Sequence, residues 1–474
     1  MAVILGLGML LRLSQYFAVR SLWLDEASLA LNFFARGYGR LLAPFGNHQA
    51  APFGFNALTE LVVQIAGTSE RALRFLPLLA GLAALFAFWR LTRRWLCGAA
   101  LLTTNYAFAI SSALVFYSNE FKPYSLDVLL CIVVAGVLLA WWEDGGPRRR
   151  LPGIAALGAV AVWVSFPVTF VLAGVGGTVW LAGLRERRYA QVAGLSVVIA
   201  IWLGSFAGEY LLYARHIAAM GDLTNYWLTQ GAFMPWPPWK PAAFAWVTTN
   251  FLNYFEAVAG MHHSRNIFPF IFLAGMISMV RRGATVHLCA LLAPVLLALG
   301  ASALERYPFQ GRLVLFTVPL TLLICGEGIG ELFARLRQPA LQAALAGMAL
   351  FSPSAYSLPQ LWRPAKVEEV RPLAEFLRRE ATAYDVVFVF RDNSSVRYYE
   401  HELGTPPLAI SFDEATLADV WPRVAAALPA GGRGWLIFSH TTDAEREAIL
   451  SRLRSLGRVR LADEQIGAQL FVLE

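Results

Sequence analysis

The stretch Ser21-Leu-Trp-Leu-Asp-Glu-Ala27 places two adjacent carboxylates, Asp25 and Glu26, directly after the first apolar segment of the chain. The sequence of 474 residues is 57% hydrophobic and 15% charged, whereas soluble domains carry about 25% charged residues. Apolar runs of about 20 residues, the length that crosses a bilayer, recur along the sequence. Charges at the edge of such a run are costly, so Asp25 and Glu26 are candidates for a functional site.

The apolar runs predict a polytopic α-helical membrane protein with about eleven transmembrane helices. Basic residues follow every second run, and the positive-inside rule assigns these clusters to the cytoplasm together with the N-terminus. The clusters contain Arg90, Arg93, Arg94, Arg148, Arg149, Arg150, Arg185, Arg187, Arg188, Arg281, Arg282, Arg335 and Arg337. Their distribution accounts for the net charge of +7 without nucleic acid as a partner. The loop of Asp25 and Glu26 then lies on the extracytoplasmic face.

The loop between the first two spans is predicted to contain two amphipathic helices, over residues 25–40 and 57–66, of the kind that lie along a membrane surface. The sequence after residue 358 has more charge, and its alternating strand and helix patterns predict a small α/β domain. Strands are predicted at 384–390, 408–411, 434–439, 459–462 and 468–473, and helices at 367–379, 413–426 and 442–453. The predicted division is a transmembrane catalytic domain, 1–358, and an extracytoplasmic domain, 359–474.

Two further loops on the extracytoplasmic face carry residues suited to catalysis. They read Tyr117-Ser-Asn-Glu-Phe-Lys-Pro-Tyr124 after the third span and Glu305-Arg-Tyr-Pro-Phe-Gln-Gly-Arg312 before the tenth. A carboxylate can take a proton from an acceptor hydroxyl or amine, and cations can stabilise a phosphate as it leaves. The candidates are Asp25, Glu26 and Glu120 for catalysis, Lys122, Arg306 and Arg312 for phosphate binding, and Arg12, His48, Tyr117, Tyr124, His262 and Tyr307 for a substrate cavity. These residues suit sugar transfer from a polyprenyl phosphate, but their chemistry alone does not select it over ion-coupled transport.

Several candidate residues also suit a plainer structural role. Asp25 and Glu26 suit the N-terminus of the following helix, where acidic residues are favourable. Glu120 and Lys122 are compatible with a solvated hinge. Arg306 and Arg312 could anchor the protein to lipid headgroups, and Arg12 could extend its side chain to a membrane interface. His262 is compatible with the polar end of a loop. The four cysteines lie in apolar runs, and no spacing in the sequence predicts a metal site.

The stretch Trp23-Leu-Asp-Glu26 resembles the acidic motif in the first outer loop of GT-C glycosyltransferases. The branch that it resembles most is bacterial and related to protein O-mannosyltransferases and the lipid A aminoarabinose transferase. Other stretches that resemble this branch are Leu11-Arg-Leu13, Glu70-Arg-Ala-Leu-Arg74, Tyr117 to Tyr124 and, more weakly, Tyr307 to Arg312. The resemblance covers residues 1–358 and implies a GT-C fold for the membrane domain.

The resemblance implies inverting transfer of a sugar from a polyprenyl-phosphate donor to a lipid, glycan or protein acceptor, on the outer face of the bacterial cytoplasmic membrane. It implies Asp25 as the general base, Glu26 as its support and Glu120 as a second acidic partner, with Lys122 at the donor phosphate. It implies no cofactor; this branch generally works without the divalent metal that some distant GT-C enzymes need. The run His48-Gln-Ala-Ala-Pro52 departs from the His-Pro-Pro of relatives, which leaves the role of His48 open.

Two further functions are compatible with the sequence. One is a transporter or flippase of lipid-linked sugars, and the second is an inactive scaffold for envelope assembly. A transporter is expected to carry charges midway along several spans, or internal repeats. The sequence has no evident repeat, and most of its charge lies at span ends, so an enzyme of the outer face is the favoured interpretation.

Overall fold

The structure, a computed structural model, describes residues 1–34, 37–43, 45–46, 49–218, 221–263, 267–336, 338–391, 393–404 and 410–474. These residues form helices and one β-sheet. The helices are α1 (Ala2–Phe17), α2 (Leu24–Ala30), α3 (Phe53–Ala66), α4 (Glu70–Thr92), α5 (Gly98–Ile110), α6 (Ser112–Tyr117), α7 (Tyr124–Glu143), α8 (Leu151–Val164), α9 (Val168–Arg185), α10 (Tyr189–Glu209), α11 (Arg215–Ala218), α12 (Gly221–Thr229), α13 (Pro241–Asn253), α14 (Phe268–Arg281), α15 (Thr285–Ala303), α16 (Val318–Arg335), α17 (Pro339–Ser357), α18 (Val370–Glu380), α19 (Ser394–Leu403), α20 (Val420–Ala427) and α21 (Asp443–Arg454).

Helices are present along all the apolar runs that predict the membrane spans. Within the described ranges, six helical segments are long and apolar enough to cross a membrane. They are Glu70–Thr92, Tyr124–Glu143, Val168–Arg185, Tyr189–Ile217, Thr285–Ala303 and Gly311–Arg335. The helices at the remaining predicted positions are shorter or less apolar. The chain therefore has the composition of a multi-pass membrane protein, while the number of eleven crossings stays a prediction.

Close helix packing fixes the segment that leads to the candidate site. α14 and α16 approach so closely that a Cβ added at Gly275 or Gly328 would overlap the backbone carbonyl oxygen of Ile324 or Ile271. Small residues of this kind let membrane helices pack backbone to backbone. A 3-10 turn, Gly311–Thr317, leads into α16 and packs against α7. Arg312 lies at the start of this turn, 5.9 Å from the ring centroid of Tyr124, the first residue of α7.

The first outer loop differs from the prediction of a long surface helix over residues 25–40. α2 covers only Leu24–Ala30, and Glu26 to Ala30 are all buried inside the protein. The chain then continues as a 3-10 turn, Leu31–Phe33. The second predicted helix is present as α3, Phe53–Ala66. α2 packs against α19 from the far end of the chain, which explains why its residues are covered by protein instead of facing lipid headgroups.

The C-terminal residues form the predicted small α/β domain. Its strands are β1 (Val386–Phe390), β2 (Ile410–Phe412), β3 (Gly434–Ser439), β4 (Val459–Gln465) and β5 (Ala468–Leu473). The sheet order is β2-β1-β3-β5-β4, with β1 parallel to β2 and β3, and β5 antiparallel to β3 and β4. All five predicted strands are present, although their ends differ by a few residues. The sequence-based prediction lacked α19, which begins after the capping side chain of Asn393 and ends at Gly404, where φ is +62°.

The C-terminal domain and the first outer loop share one hydrophobic core. Buried apolar residues of the outer loop and α4 contact buried residues of α18, α19 and the sheet. Among them are Leu22, Ala27, Leu29, Phe33, Phe55, Leu73, Leu373, Tyr398, Tyr399, Val389 and Ile437. Burial of this apolar surface joins the two regions into one packed unit around α2.

Candidate active site

Asp25 lies between two cations that come from different parts of the chain. The Nζ atom of Lys122 donates to Oδ1 of Asp25 at 3.0 Å, and Nη2 of Arg312 lies 2.6 Å from Oδ2. Lys122 precedes α7 and Arg312 lies on the 3-10 turn before α16, so three elements meet at one carboxylate. The side chain of Asp25 is 20% exposed, so the protein covers most of it.

The two cations control the charge state of Asp25. Burial alone would raise the pKa of Asp25, but the charges of Lys122 and Arg312 outweigh it, together with hydrogen bonds from Lys122 and Gln49. The net result is a pKa of Asp25 below its ordinary value, so the carboxylate is ionised at neutral pH. A carboxylate held this way is a weak base for as long as both cations contact it.

Aromatic side chains surround Arg312. Its guanidinium carbon lies 5.5 Å from the ring centroid of Trp23 and 5.9 Å from those of Tyr124 and Trp227. Tyr117 is a further neighbour, close enough to interact with the charge of Arg312. The rings of Tyr117 and Tyr124 pack edge to face at 5.4 Å. The structure therefore brings five of the predicted site residues together: Asp25, Lys122, Arg312, Tyr117 and Tyr124.

Glu26 points away from Asp25 and forms a buried ion pair with Arg74. Nε of Arg74 donates to Oε1 of Glu26 at 2.8 Å, and Nη2 donates to Oε2 at 2.5 Å. The side chain of Glu26 is 0% exposed and that of Arg74 is 3% exposed. Arg74 also donates to the carbonyl oxygens of Arg20 and Ser21, and Glu26 accepts from the backbone amide of Phe121 at 2.7 Å. Glu26 thus ties α2 to α4 and to the loop that carries Lys122.

Glu120 is fully buried beside the ion-paired residues. It has 0% exposure, and neither carboxylate oxygen has a hydrogen-bond partner within the part of the chain that the structure describes. Burial, followed by the nearby charge of Glu26, raises the pKa of Glu120 to about 8, although Arg312 and Arg20 act in the opposite direction. The side chain therefore carries its proton at neutral pH, and a neutral Glu120 leaves the charge of Arg312 available to Asp25 or to a ligand.

The C-terminal domain holds the backbone just before Asp25. The amide of Ser21 donates to Glu369 at 3.2 Å, and the amide of Leu22 donates to the hydroxyl of Tyr399 at 2.7 Å. The amide of Leu24, the first residue of α2, donates to Oε2 of Glu368 at 2.9 Å. No side chain of its own segment caps α2, so Glu368 supplies the acceptor that the helix N-terminus needs.

Three other predicted residues, Arg12, His262 and Tyr307, make contacts elsewhere in the protein. Arg12 is buried and donates to the carbonyl oxygens of Gly8 and Ala109 instead of extending to an interface. His262 contacts Ser112 and stacks on Tyr356. Tyr307 donates to the carbonyl of Leu313 at 2.6 Å, which closes the segment that contains Arg312.

Two further predicted residues are Arg306 and His48. Arg306 is exposed and makes no ion pair with a residue that the structure describes. His48 lies outside the described residues. No group of three or more His, Cys, Asp or Glu side chains in the described ranges is arranged to hold a metal ion.

Sequence reasoning missed several residues that shape the site. Gln49 lies 2.5 Å from Nζ of Lys122, and it directly follows the predicted residue His48 in the same loop. Glu368 and Tyr399 come from the C-terminal domain, for which the sequence predicted no part in the site. Arg74 belongs to the motif Glu70-Arg-Ala-Leu-Arg74, but the sequence predicted no role for it. An arginine near the N-terminal end of an apolar helix was the one available signal, since such a charge needs a buried partner.

The fold combines apolar helices long enough to cross a membrane with a small C-terminal α/β domain, which packs on the segment that carries Asp25. No family model and no curated protein sequence matches the chain. The chain is similar in structure to ArnT from Cupriavidus metallidurans in the apo state, with a TM-score of 0.55 and 13% identity, over 99% of this chain and 96% of that chain. It is equally similar to the same protein bound to undecaprenyl phosphate, with a TM-score of 0.55 and 12% identity, over 99% and 97%.

ArnT, the lipid A aminoarabinose transferase, is a member of the GT-C superfamily. The similarity at such low sequence identity establishes the fold, and it confirms the GT-C fold that the sequence motifs predicted. Because the alignment covers 99% of this chain, the C-terminal domain belongs to the shared architecture as well.

Proposed function

We propose that the chain is an inverting glycosyltransferase that moves a sugar from a polyprenyl-phosphate donor to a lipid, glycan or protein acceptor. The observation that carries the proposal is the placement of Lys122 and Arg312 on the two oxygens of Asp25. A base and two phosphate-binding cations are the groups that this reaction needs. The fold shared with ArnT, one structure of which is bound to undecaprenyl phosphate, supports the choice of a polyprenyl phosphate as the carrier.

In the proposed reaction, Asp25 takes the proton from the acceptor hydroxyl or amine. The acceptor atom forms a bond to the anomeric carbon from the face opposite the phosphate, and the bond from that carbon to the phosphate oxygen breaks. The electron pair of that bond goes to the departing polyprenyl phosphate, whose charge changes from one negative to two. Lys122 and Arg312 stabilise this additional charge, so they favour the transition state over the bound donor.

Donor binding then also activates the base. Without a ligand, Lys122 and Arg312 lower the pKa of Asp25. A donor phosphate competes with Asp25 for both cations, and loss of these contacts raises the pKa of Asp25 and its strength as a base. Proton transfer is thereby coupled to occupation of the donor site. The buried, protonated Glu120 contributes by leaving Arg312 without a second anionic competitor.

The orientation is part of the proposal. α4 carries Arg74, the partner of Glu26, in its second turn, and α7 begins at Tyr124 near Asp25. Arg90 lies in the last turn of α4, Arg93 and Arg94 follow that helix, and the run Arg148 to Arg150 follows α7. From Arg74 to Arg90 a helix rises about 24 Å, at 1.5 Å per residue. The positive-inside rule then puts the arginine ends and the N-terminus in the cytoplasm, and Asp25 and the C-terminal domain outside.

Purified protein in phospholipid vesicles tests the proposal directly. The probes are undecaprenyl-phosphate-linked sugars, offered with a bacterial envelope extract as the source of acceptors. Mass spectrometry should show undecaprenyl phosphate and a glycosylated acceptor, both unaffected by a metal chelator. Movement of intact labelled lipid-linked sugar across the bilayer without bond cleavage would instead identify a transporter. Failure of both measurements with folded protein would indicate a scaffold.

A further inference from the structure

A groove between α4 and α7 lies at the opposite ends of these helices from Asp25. Its volume is about 340 Å³, and its walls are mostly apolar. The lining residues are Ala87, Arg90, Leu91, Arg93, Arg94, Ile132, Val133, Gly136, Val137 and Ala140. The three arginines lie at the C-terminal end of α4 or just after it, so the groove combines apolar walls along two predicted spans with positive charge at one end.

Two of these arginines have no acidic partner among the residues that the structure describes. Arg94 pairs with Glu143 at 2.8 Å and lies 3.5 Å from Asp144. Arg93 lies over the ring of Trp89 at 5.3 Å, and neither it nor Arg90 forms an ion pair with any residue in the described ranges. Both side chains are exposed. The groove therefore has two positive charges available to a ligand.

We propose that this groove binds an anionic phospholipid, with an acyl chain between α4 and α7 and the headgroup phosphate on Arg90 and Arg93. Basic pockets between membrane helices bind such headgroups because the cations pair with phosphate at the depth of the interface. The apolar walls select a ligand that carries a chain, which a free phosphate lacks. The site does not include Asp25, Lys122 or Arg312, so the proposal stands independently of the proposed reaction.

Gly136 offers a way to test the chain and the headgroup separately. A Cβ added there would meet Cδ1 of Leu91 at 3.6 Å, an ordinary contact, so a side chain is tolerated at this backbone position. Both residues line the groove. A Gly136→Leu substitution should fill the groove and exclude the acyl chain while both arginines remain.

Native mass spectrometry of the detergent-solubilised protein measures the binding, with phosphatidylglycerol as the anionic probe and phosphatidylcholine as the neutral one. Wild type should prefer phosphatidylglycerol, and Arg90→Gln/Arg93→Gln should lose about tenfold in affinity for it, as expected for about 1.4 kcal/mol of lost pairing. Arg185→Gln/Arg187→Gln is the matched control, because these arginines are also exposed and without a described ion pair. The control should bind like wild type.

The second arm uses Gly136→Leu and glycerol phosphate, which has the headgroup without chains. The substitution should abolish the preference for phosphatidylglycerol, and glycerol phosphate should not compete. If thermal unfolding shows that Gly136→Leu is not folded, Ala140→Phe, one turn further along α7, takes its place. An unchanged preference in the arginine variant, or unchanged binding in a folded groove-filling variant, overturns the proposal. Competition by glycerol phosphate would show a phosphate site without a chain groove and would overturn it too.

Discussion

The carboxylate of Glu368 accepts a hydrogen bond of 2.9 Å from the backbone amide of Leu24, the residue before Asp25. The two residues are 344 positions apart in the sequence. The contact gives the C-terminal domain a definite part in the site, because it sets where α2 begins and hence where Asp25 points. Glu368 is only 3% exposed, so the hydrogen bond is shielded from competing water.

Glu368→Ala should lower the turnover rate about tenfold to a hundredfold, since a small displacement of a catalytic group has an effect of this size. It should also lower the free energy of unfolding by about 1 kcal/mol, the usual cost of a lost helix cap. Glu368→Gln keeps a carbonyl acceptor and should restore most of the rate. Glu380→Ala, at an exposed position of the following helix α18, is the control. Equal rates for Glu368→Ala and wild type would remove Glu368 as a positioning residue.

Asp25→Asn should abolish transfer, with a loss of about 10² to 10⁴ in rate, because it removes the proton acceptor at nearly constant shape. The variant should bind undecaprenyl phosphate at least as tightly as wild type, since Lys122 and Arg312 lose their competing carboxylate. Rate and affinity are measured separately, by product formation and by equilibrium binding of the lipid. Normal transfer by purified Asp25→Asn would show that the proposed mechanism is wrong.

Lys122→Ala and Arg312→Ala should each weaken binding of the donor about tenfold or more, because each removes one charge-assisted contact to phosphate. Lys122→Arg should retain binding, since it keeps the charge. Arg306→Ala is the matched control, because Arg306 belongs to the same loop as Arg312 but is exposed and makes no described ion pair. If the Arg306 variant loses affinity as strongly as the Lys122 and Arg312 variants, the phosphate site has been placed incorrectly.

Glu120 should give the protein a measurable pH dependence of stability. Its pKa in the folded state is about 8, against an ordinary value of 4.5. Between pH 4.5 and pH 8, Glu120 is protonated in the folded state and ionised in the unfolded state. Its contribution to the stability of the folded state is therefore complete below about pH 4.5 and is lost as the pH rises through 8. The melting temperature should fall less steeply between pH 5 and pH 9 for Glu120→Gln than for wild type. Glu447→Gln, at an exposed position, is the control and should behave like wild type. If the melting temperatures of wild type and Glu120→Gln change with pH in the same way, Glu120 is not buried in its neutral form.

Glu26→Gln should destabilise the protein by about 3–5 kcal/mol, because it leaves Arg74 buried without its charge partner. The double variant Glu26→Gln/Arg74→Gln should recover part of the loss, since no unpaired charge remains. Chemical or thermal unfolding of Glu26→Gln, Arg74→Gln and the double variant measures the coupling energy between the two side chains. Additive effects would indicate that the two side chains act independently.

The sequence predicted the parts of the structure that local signals determine. Apolar runs located the helices, and alternation located the five strands, because both patterns follow from the geometry of a single element. The predicted convergence of Asp25, Lys122 and Arg312 is observed as well, since the order of spans brings their loops to one face.

The different roles of Asp25 and Glu26 could not be read from the sequence. Neighbouring residues of a helix point about 100° apart, so one faces the cations and the next faces Arg74. The packing of α4 decides which carboxylate pairs with Arg74 and which one faces Lys122 and Arg312. The partners from the C-terminal domain were also hidden, because a single sequence contains no signal for contacts between distant residues. α19 was different: Asn393 and Gly404 bracket it in the sequence, and these are typical start and stop residues of a helix.

The shared core of α2 and the C-terminal domain has a consequence for how the protein is made. Synthesis produces Asp25 early, whereas Glu368 and Tyr399 leave the ribosome more than 300 residues later, given the 344 positions between Leu24 and Glu368. The site therefore acquires its final geometry only after the C-terminal domain has been synthesised and has folded against α2. We expect interrupted or prematurely ended chains to sit in the membrane without activity, so that assembly itself limits transfer to finished molecules.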